Sequence, residues 1–127
     1  MNKPFHILTV GDEEYKLCFP SAVIISLEEK FQRGVLNVLA DENEMAKVGT
    51  QVTLLHAALQ KYQHGTKMDD ARELYDNILI SGEGNGLNNV INAIVGALKA
   101  SGFIPPSVAT EAKPEVDTPK KAKKKAG

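Results

Sequence analysis

The sequence contains no tryptophan, a single cysteine, and aromatic residues at only 6% of its 127 positions. A lone cysteine, Cys18, cannot close an internal disulfide, so nothing implies an oxidising compartment, and no second thiol exists to complete a cysteine-based zinc set. With so few aromatics, a hydrophobic core must be built from Leu, Ile, Val and Ala. No apolar run approaches the roughly 18 residues that suggest a membrane span. The opening MNKPFHILTV passes directly into GDEE, without the apolar stretch and small-residue cleavage site of a secretory leader. These absences lead to the expectation of a cytoplasmic protein that makes no membrane contact.

What is present is ordinary for a globular chain: 43% apolar and 24% charged residues, at a length suited to one domain. The net charge of −1 is unevenly spread. Positions 105–127 hold Lys113, Lys120, Lys121, Lys123, Lys124 and Lys125 against Glu111, Glu115 and Asp117, a net of +3 that leaves −4 on positions 1–104. A mildly acidic body argues against nucleic acid as a partner, because phosphate contacts need a basic face. The terminal lysine run could supply only weak, salt-sensitive attraction, and no aromatic residue lies among the lysines to stack on bases.

Hydrophobic spacing divides the chain into a hairpin and about four helices. Phe5, Ile7 and Thr9 alternate with His6, Leu8 and Val10, Gly11-Asp12-Glu13 supplies a turn, and Tyr15, Leu17 and Phe19 share one face of a return strand. Such a hairpin is marginal alone, so it must lie on the helices or pair with another chain. Pro20 opens a first helix carrying Val23, Ile24, Leu27 and Phe31, with Arg33-Gly34 as its expected close. The run Val35–Leu39 has no assignable type. A second helix is expected from Asp41, with Glu44 completing an acidic variant of the capping box, through Met45, Val48, Val52, Leu55, Leu59 and Tyr62 at alternating steps of 3 and 4. A third begins near Thr66 and buries Met68, Ala71, Leu74, Tyr75, Ile78 and Leu79. After a glycine-rich connector, a fourth follows with Asn85 as N-cap, an apolar face of Leu87, Val90, Ile91, Ile94, Val95 and Leu98, and Gly102 as its end. Beyond Pro105-Pro106 the apolar pattern vanishes. The expected organisation is a hairpin plus small helical bundle over 1–104 and a disordered Lys-rich tail over 105–127.

No catalytic constellation emerges. The connector Gly82-Glu83-Gly84-Asn85-Gly86 lacks the preceding strand and third-glycine spacing of a dinucleotide loop, and the Lys-Ser/Thr pair of a Walker loop, so it reads as a flexible helix–helix joint. His6, His56 and His64 do not fall at metal-ligand spacing and read as surface or boundary residues. Cys18 has no base beside it in sequence and reads as a small structural side chain. Asp41, Glu42, Glu44, Asp69 and Asp70 cluster at helix starts, where capping and the helix dipole account for them. The chain is therefore not expected to be an enzyme or to carry a metal or other cofactor. Protein binding remains, with the apolar seams of the second and fourth helices, Val48, Val52, Leu55, Leu59, Ile91, Ile94 and Leu98, as candidate partner-facing residues. Packing of the same stripes against each other as the core is the favoured alternative.

The order of parts carries a resemblance. ILTVGDEEYKLCF followed by PSAVIISLEEKF is similar to the start of phage tail assembly chaperones and their relatives in gene-transfer agents, where a hairpin with a glycine, then Tyr-x-Leu-x-Phe, precedes a Leu- and Glu-rich helix. The matching residues are Gly11, Tyr15, Leu17 and Phe19, then Leu27 and Glu28. The glycine-to-tyrosine spacing is one residue longer than in the shortest form of that pattern. Beyond the first helix the likeness extends only to length and helical content. The resemblance implies a small helical protein of the host cytoplasm that coats the tape-measure protein while tail tube protein assembles around it, and that is absent from the mature particle. It also implies self-association and a longer frameshifted form, for which A-rich codons behind Lys120-Lys121 and Lys123-Lys124-Lys125 would be the slippery site. The alternatives are a head–tail connector or tail-completion protein that stays in the particle, and a small regulator that binds nucleic acid through its tail.

Overall fold

The computed structural model describes residues 4–104, so the lysine-rich tail lies outside the described residues. The chain is mainly helical, with an N-terminal antiparallel hairpin and six helices: β1 (His6–Val10), β2 (Glu13–Leu17), α1 (Ser21–Phe31), α2 (Val35–Ala40), α3 (Glu42–Met45), α4 (Val48–Leu59), α5 (Met68–Ser81) and α6 (Gly86–Ala100).

The strands pair with Leu8 opposite Tyr15 and His6 opposite Leu17. Val10 and Glu13 are also partners, so Gly11-Asp12 is a two-residue loop. Gly11 sits at φ +60°, where a glycine in the first loop position matches the twist of the flanking strands. Leu8, Tyr15 and Leu17 lie on the face that meets the helices, and Leu17 and Phe19 are almost completely buried. The return strand is then tied to the bundle by main chain: Cys18 N–H donates to Ala58 O at 3.0 Å, and Phe19 N–H to Ser101 Oγ at 2.8 Å.

Helix α1 ends two residues earlier than Arg33-Gly34 suggests. Gln32 takes the left-handed conformation (φ 61°) and its N–H bonds Glu28 O, while Gly34 is extended and precedes α2. The unassigned Val35–Leu39 run is therefore a helix, and its first N–H, on Val35, is capped by Glu28 Oε2 at 3.1 Å from the preceding helix.

The second helix expected from Asp41 to Tyr62 is two helices. Asp41 does cap α3, accepting Glu44 N–H at 3.1 Å. Glu44, however, makes no reciprocal capping bond. It accepts from the Thr50 hydroxyl at 2.7 Å and pairs with Lys47 at 3.2 Å. The chain breaks at Ala46-Lys47, with Lys47 extended (ψ 126°), and the freed Met45 carbonyl accepts Gln51 Nε2 at 2.7 Å. The Gln51 side chain thus satisfies a carbonyl that a continuous helix would have satisfied itself, and the Thr50 hydroxyl holds the Glu44 carboxylate beside the break.

Helix α4 is the centre of the bundle. Val52, Leu54, Leu55, Ala57, Ala58 and Leu59 are all buried, so it is enclosed on nearly every side. Helix α5 starts at Met68, its first turn held by Asp70 Oδ2, which accepts Lys67 N–H at 2.9 Å. The Tyr75–Gln51 hydrogen bond (2.8 Å) fixes α5 against α4. The glycine connector is a close-packed corner rather than a loose joint: a Cβ on Gly86 would stand 2.5 Å from Leu79 Cα. Asn85 makes no side-chain cap there. At the other end of α6, Gly102 (φ +89°) sits where the sequence placed a cap, with Phe103 N–H bonding Leu98 O and Gly102 N–H bonding Lys99 O.

Candidate interaction surface

The seven residues expected to face a partner mostly face one another. Leu55, Ile94 and Leu98 are 0% exposed, Leu59 2% and Val52 6%, and all five belong to one core cluster. A partner could touch them only after the bundle opened. Ile91 is half-buried on α6, and Val48, at the start of α4, is 55% exposed. The seams were real, but each was closed by the other and by α5.

What the bundle leaves open is a groove between α1 and α4. On α1, Val23, Leu27 and Lys30 share one face, at spacings of 4 and 3, and on α4 Thr53, His56, Ala57 and Gln60 share another. Between them, closed at one end by Met68 of α5, is a cavity of about 350 Å³. Its floor is apolar, and it exists because the α4 floor position is Ala57, too short to reach α1. The rim is ordered. His56 Nε2 lies 3.0 Å from Thr66 O, and Gln60 Nε2 donates to His56 O and Thr66 O. Among the described residues Lys30 is the one charged side chain lining the groove, and no carboxylate does so, although residues 1–104 carry a net −4. Ile25 (57%) and Leu36 (50%) are exposed apolar residues elsewhere on α1 and α2 and do not line the groove.

Two further cavities are polar. One, between β1 and the helices, is walled by Ser81, Asn89 and Asn92. The other lies beside Tyr15 and is lined by Asp70 and Glu73. Burial pushes the Tyr15 phenol above its usual range, helped by Glu13 and Glu73.

The histidines are scattered. His64 is exposed, His56 belongs to the groove rim, and His6 packs flat enough on α6 that a Cβ on Gly96 would meet its Nδ1 at 2.5 Å. Burial lowers the His6 pKa, and the positive charge of Lys99 lowers it further. Cys18 is buried, with the Ser101 hydroxyl 3.7 Å from its sulfur. Among the described residues no three His, Cys, Asp or Glu side chains converge as a metal site would require, and no helix is long and apolar enough to cross a membrane.

The sequence had marked only His56 of the groove residues as a surface or boundary residue, and none of them as partner-facing. The available signal was the Ala57-Ala58 pair inside an otherwise large-residue seam, which marks where a neighbour either comes very close or leaves a gap. Comparison with protein-family models, with curated proteins and with solved structures finds no match to this chain.

Proposed function

We propose that this chain binds an amphipathic helix of a partner protein, and that its role is that of a phage tail assembly chaperone: it shields the tape-measure protein while tail tube protein assembles, and leaves before the particle is complete. The observation that carries the binding half is the α1–α4 groove, an apolar trough with an ordered polar rim and one cation, suited to helix-in-groove recognition by side chains spaced i, i+3, i+4. Tape-measure proteins, as long helices with apolar stripes, offer such side chains repeatedly, and a carboxylate beside the stripe would meet Lys30.

The chaperone half rests on the order of hairpin and first helix. The residues that make the likeness have clear work in this fold. Gly11 makes the turn, Leu17, Phe19 and Leu27 anchor the hairpin and α1 in the core, and Glu28 caps α2. A pattern needed for this architecture is a pattern that relatives sharing the architecture would keep.

The test pairs the purified protein with a helical fragment of a tape-measure protein, measured by titration calorimetry. Ala57→Leu fills the groove from its floor, and should weaken binding at least tenfold while leaving the circular dichroism spectrum unchanged. Unaltered affinity in a folded Ala57→Leu protein would exclude the groove. Absence of any binding by the native protein would exclude the tape-measure helix as the partner.

A further inference from the structure

The two edges of the hairpin are finished differently. The Gln63 side chain lies along β2: its Oε1 accepts Lys16 N–H at 2.8 Å and its Nε2 donates to Lys16 O at 2.8 Å. The main-chain groups of Lys16 therefore point away from β1. Lys16 stands opposite Ile7, so this is a non-hydrogen-bonded pair, and the N–H and C=O of Ile7 must also point outward, on the far side of β1. Strand alternation sends those of Thr9 the same way. Among the described residues no group bonds them, and Thr9 is exposed.

Edges left open this way are commonly blunted with charge or proline. Strand β2 has Glu13, Glu14 and Lys16 as well as the Gln63 amide, whereas β1, HILTV, has no Asp, Glu, Lys, Arg or Pro. Beside the β1 edge is the cavity of about 280 Å³ walled by Ser81, Asn89 and Asn92, which leaves room on the helix side for the side chains of an added strand.

We infer that β1 pairs antiparallel with β1 of a second copy of this chain, giving a two-fold dimer with a continuous β2–β1–β1–β2 sheet. Charge selects this occupant and this direction. At the His6 end of the strand are Lys99, whose charge acts on His6, and Lys16 opposite Ile7. At the Val10 end are Asp12 in the turn, Glu13 opposite Val10 and Glu14 opposite Thr9. The strand ends at His6 and Val10 are roughly 13 Å apart, and Lys16 and Glu14, two residues apart on β2, are separated by roughly 7 Å. Antiparallel pairing centred on Leu8 brings the cationic end of each copy to the anionic end of the other, twice, and parallel pairing would set like against like. In that register Ile7 of each copy meets Thr9 of the other, and each pair exchanges both main-chain hydrogen bonds. The contact is small, at the low end of interface sizes, so a weak dimer is expected.

Sedimentation equilibrium of the full chain tests this. The weight-average mass should rise with concentration from 13.8 kDa towards twice that value. Thr9→Pro removes an outward N–H that the hairpin does not use, and should stay monomeric with an unchanged far-ultraviolet spectrum. A native protein that remains monomeric at several hundred micromolar, or a folded Thr9→Pro protein that dimerises as the native one does, would overturn the assignment. A second test does not depend on that variant folding. Lys99→Glu and the double change Asp12→Lys with Glu13→Lys should each weaken self-association at low salt, and a mixture of the two should associate at least tenfold more tightly than either alone. Equal affinities in all three samples would reject antiparallel β1 pairing.

Discussion

Replacing Tyr75 by Phe removes one oxygen atom from a side chain that is 2% exposed, and the consequence can be worked through. The hydroxyl donates to Gln51 Oε1 at 2.8 Å, and Gln51 is itself only 4% exposed, with its Nε2 committed to Met45 O. Burial, together with Asp76, pushes the Tyr75 phenol pKa up, so the hydroxyl keeps its proton and remains a donor throughout the neutral range. Without it, the Gln51 oxygen is left in the interior with no donor, at about 1–3 kcal/mol. For a domain of this size that is a fall in Tm of about 4–8 °C per kcal/mol. Gln51→Leu should be worse, about 2–4 kcal/mol, because it strands both the Tyr75 hydroxyl and the Met45 carbonyl at the α3–α4 break. The double variant replaces both partners of the buried bond with apolar groups, and should be more stable than Gln51→Leu alone. Urea denaturation of the four proteins, with m held constant as a check on the unfolded state, gives the cycle. Strict additivity, or a Tyr75→Phe protein as stable as the native one, would refute the claim that this bond is desolvated and fixes α4 to α5.

Two further outcomes are expected. Gly86→Ala should destabilise by about 2 kcal/mol or more, since its Cβ would meet Leu79 backbone at 2.5 Å, whereas Gly49→Ala, with nothing within 4 Å of the new carbon, should stabilise α4 by about 0.5–1 kcal/mol; thermal denaturation of both decides it. His6 has a lowered pKa in the fold, so between its unfolded value of 6.5 and its folded value the unfolded chain binds more protons; its contribution is fully present above pH 6.5 and is lost as pH falls through the folded pKa, a slope that His6→Gln should remove from stability measured between pH 7.5 and 5.

Three local signals in the sequence acted as their spacing implies, whereas the Glu44 capping box, the Arg33-Gly34 close and the Asn85 side-chain cap did not. Gly11 at a hairpin turn, Asp41 before a helix and Gly102 after one each act through atoms a few residues away, so spacing alone specifies them. Features settled by distant groups were not legible. Met45, Val48 and Val52 keep helical phase straight across Ala46-Lys47, and the break is visible only once Glu44 has turned to Thr50 and Gln51 to Met45 O. Helix α2 has six residues, too few to show a period, and its cap comes from Glu28 on the helix before. The glycines of the α5–α6 corner looked like a joint because a close backbone approach and a flexible link use the same residue. Gln63 as the blocker of a strand edge 47 positions away carries no local mark.

The same distinction explains why five of the seven candidate partner-facing residues lie in the core. An amphipathic stripe establishes that a face is covered, not by what. With α4 enclosed on nearly all sides, the seams of α4 and α6 are consumed by the core, and any binding must use what assembly of the bundle leaves over. Among the described residues, two such features work by different physics: an apolar trough between α1 and α4, and a row of unpaired main-chain groups on β1. They share no lining residue. Filling the trough should therefore leave dimerisation intact, and proline in β1 should leave affinity for a single helical site intact. On a long helix with repeated apolar sites the two would cooperate. A dimer presents two troughs, so the second engagement is intramolecular and overall affinity rises through effective concentration without a new contact. A weak dimer with a shallow groove can in this way coat an extended helix densely at high concentration and still come off it, as a temporary cover must.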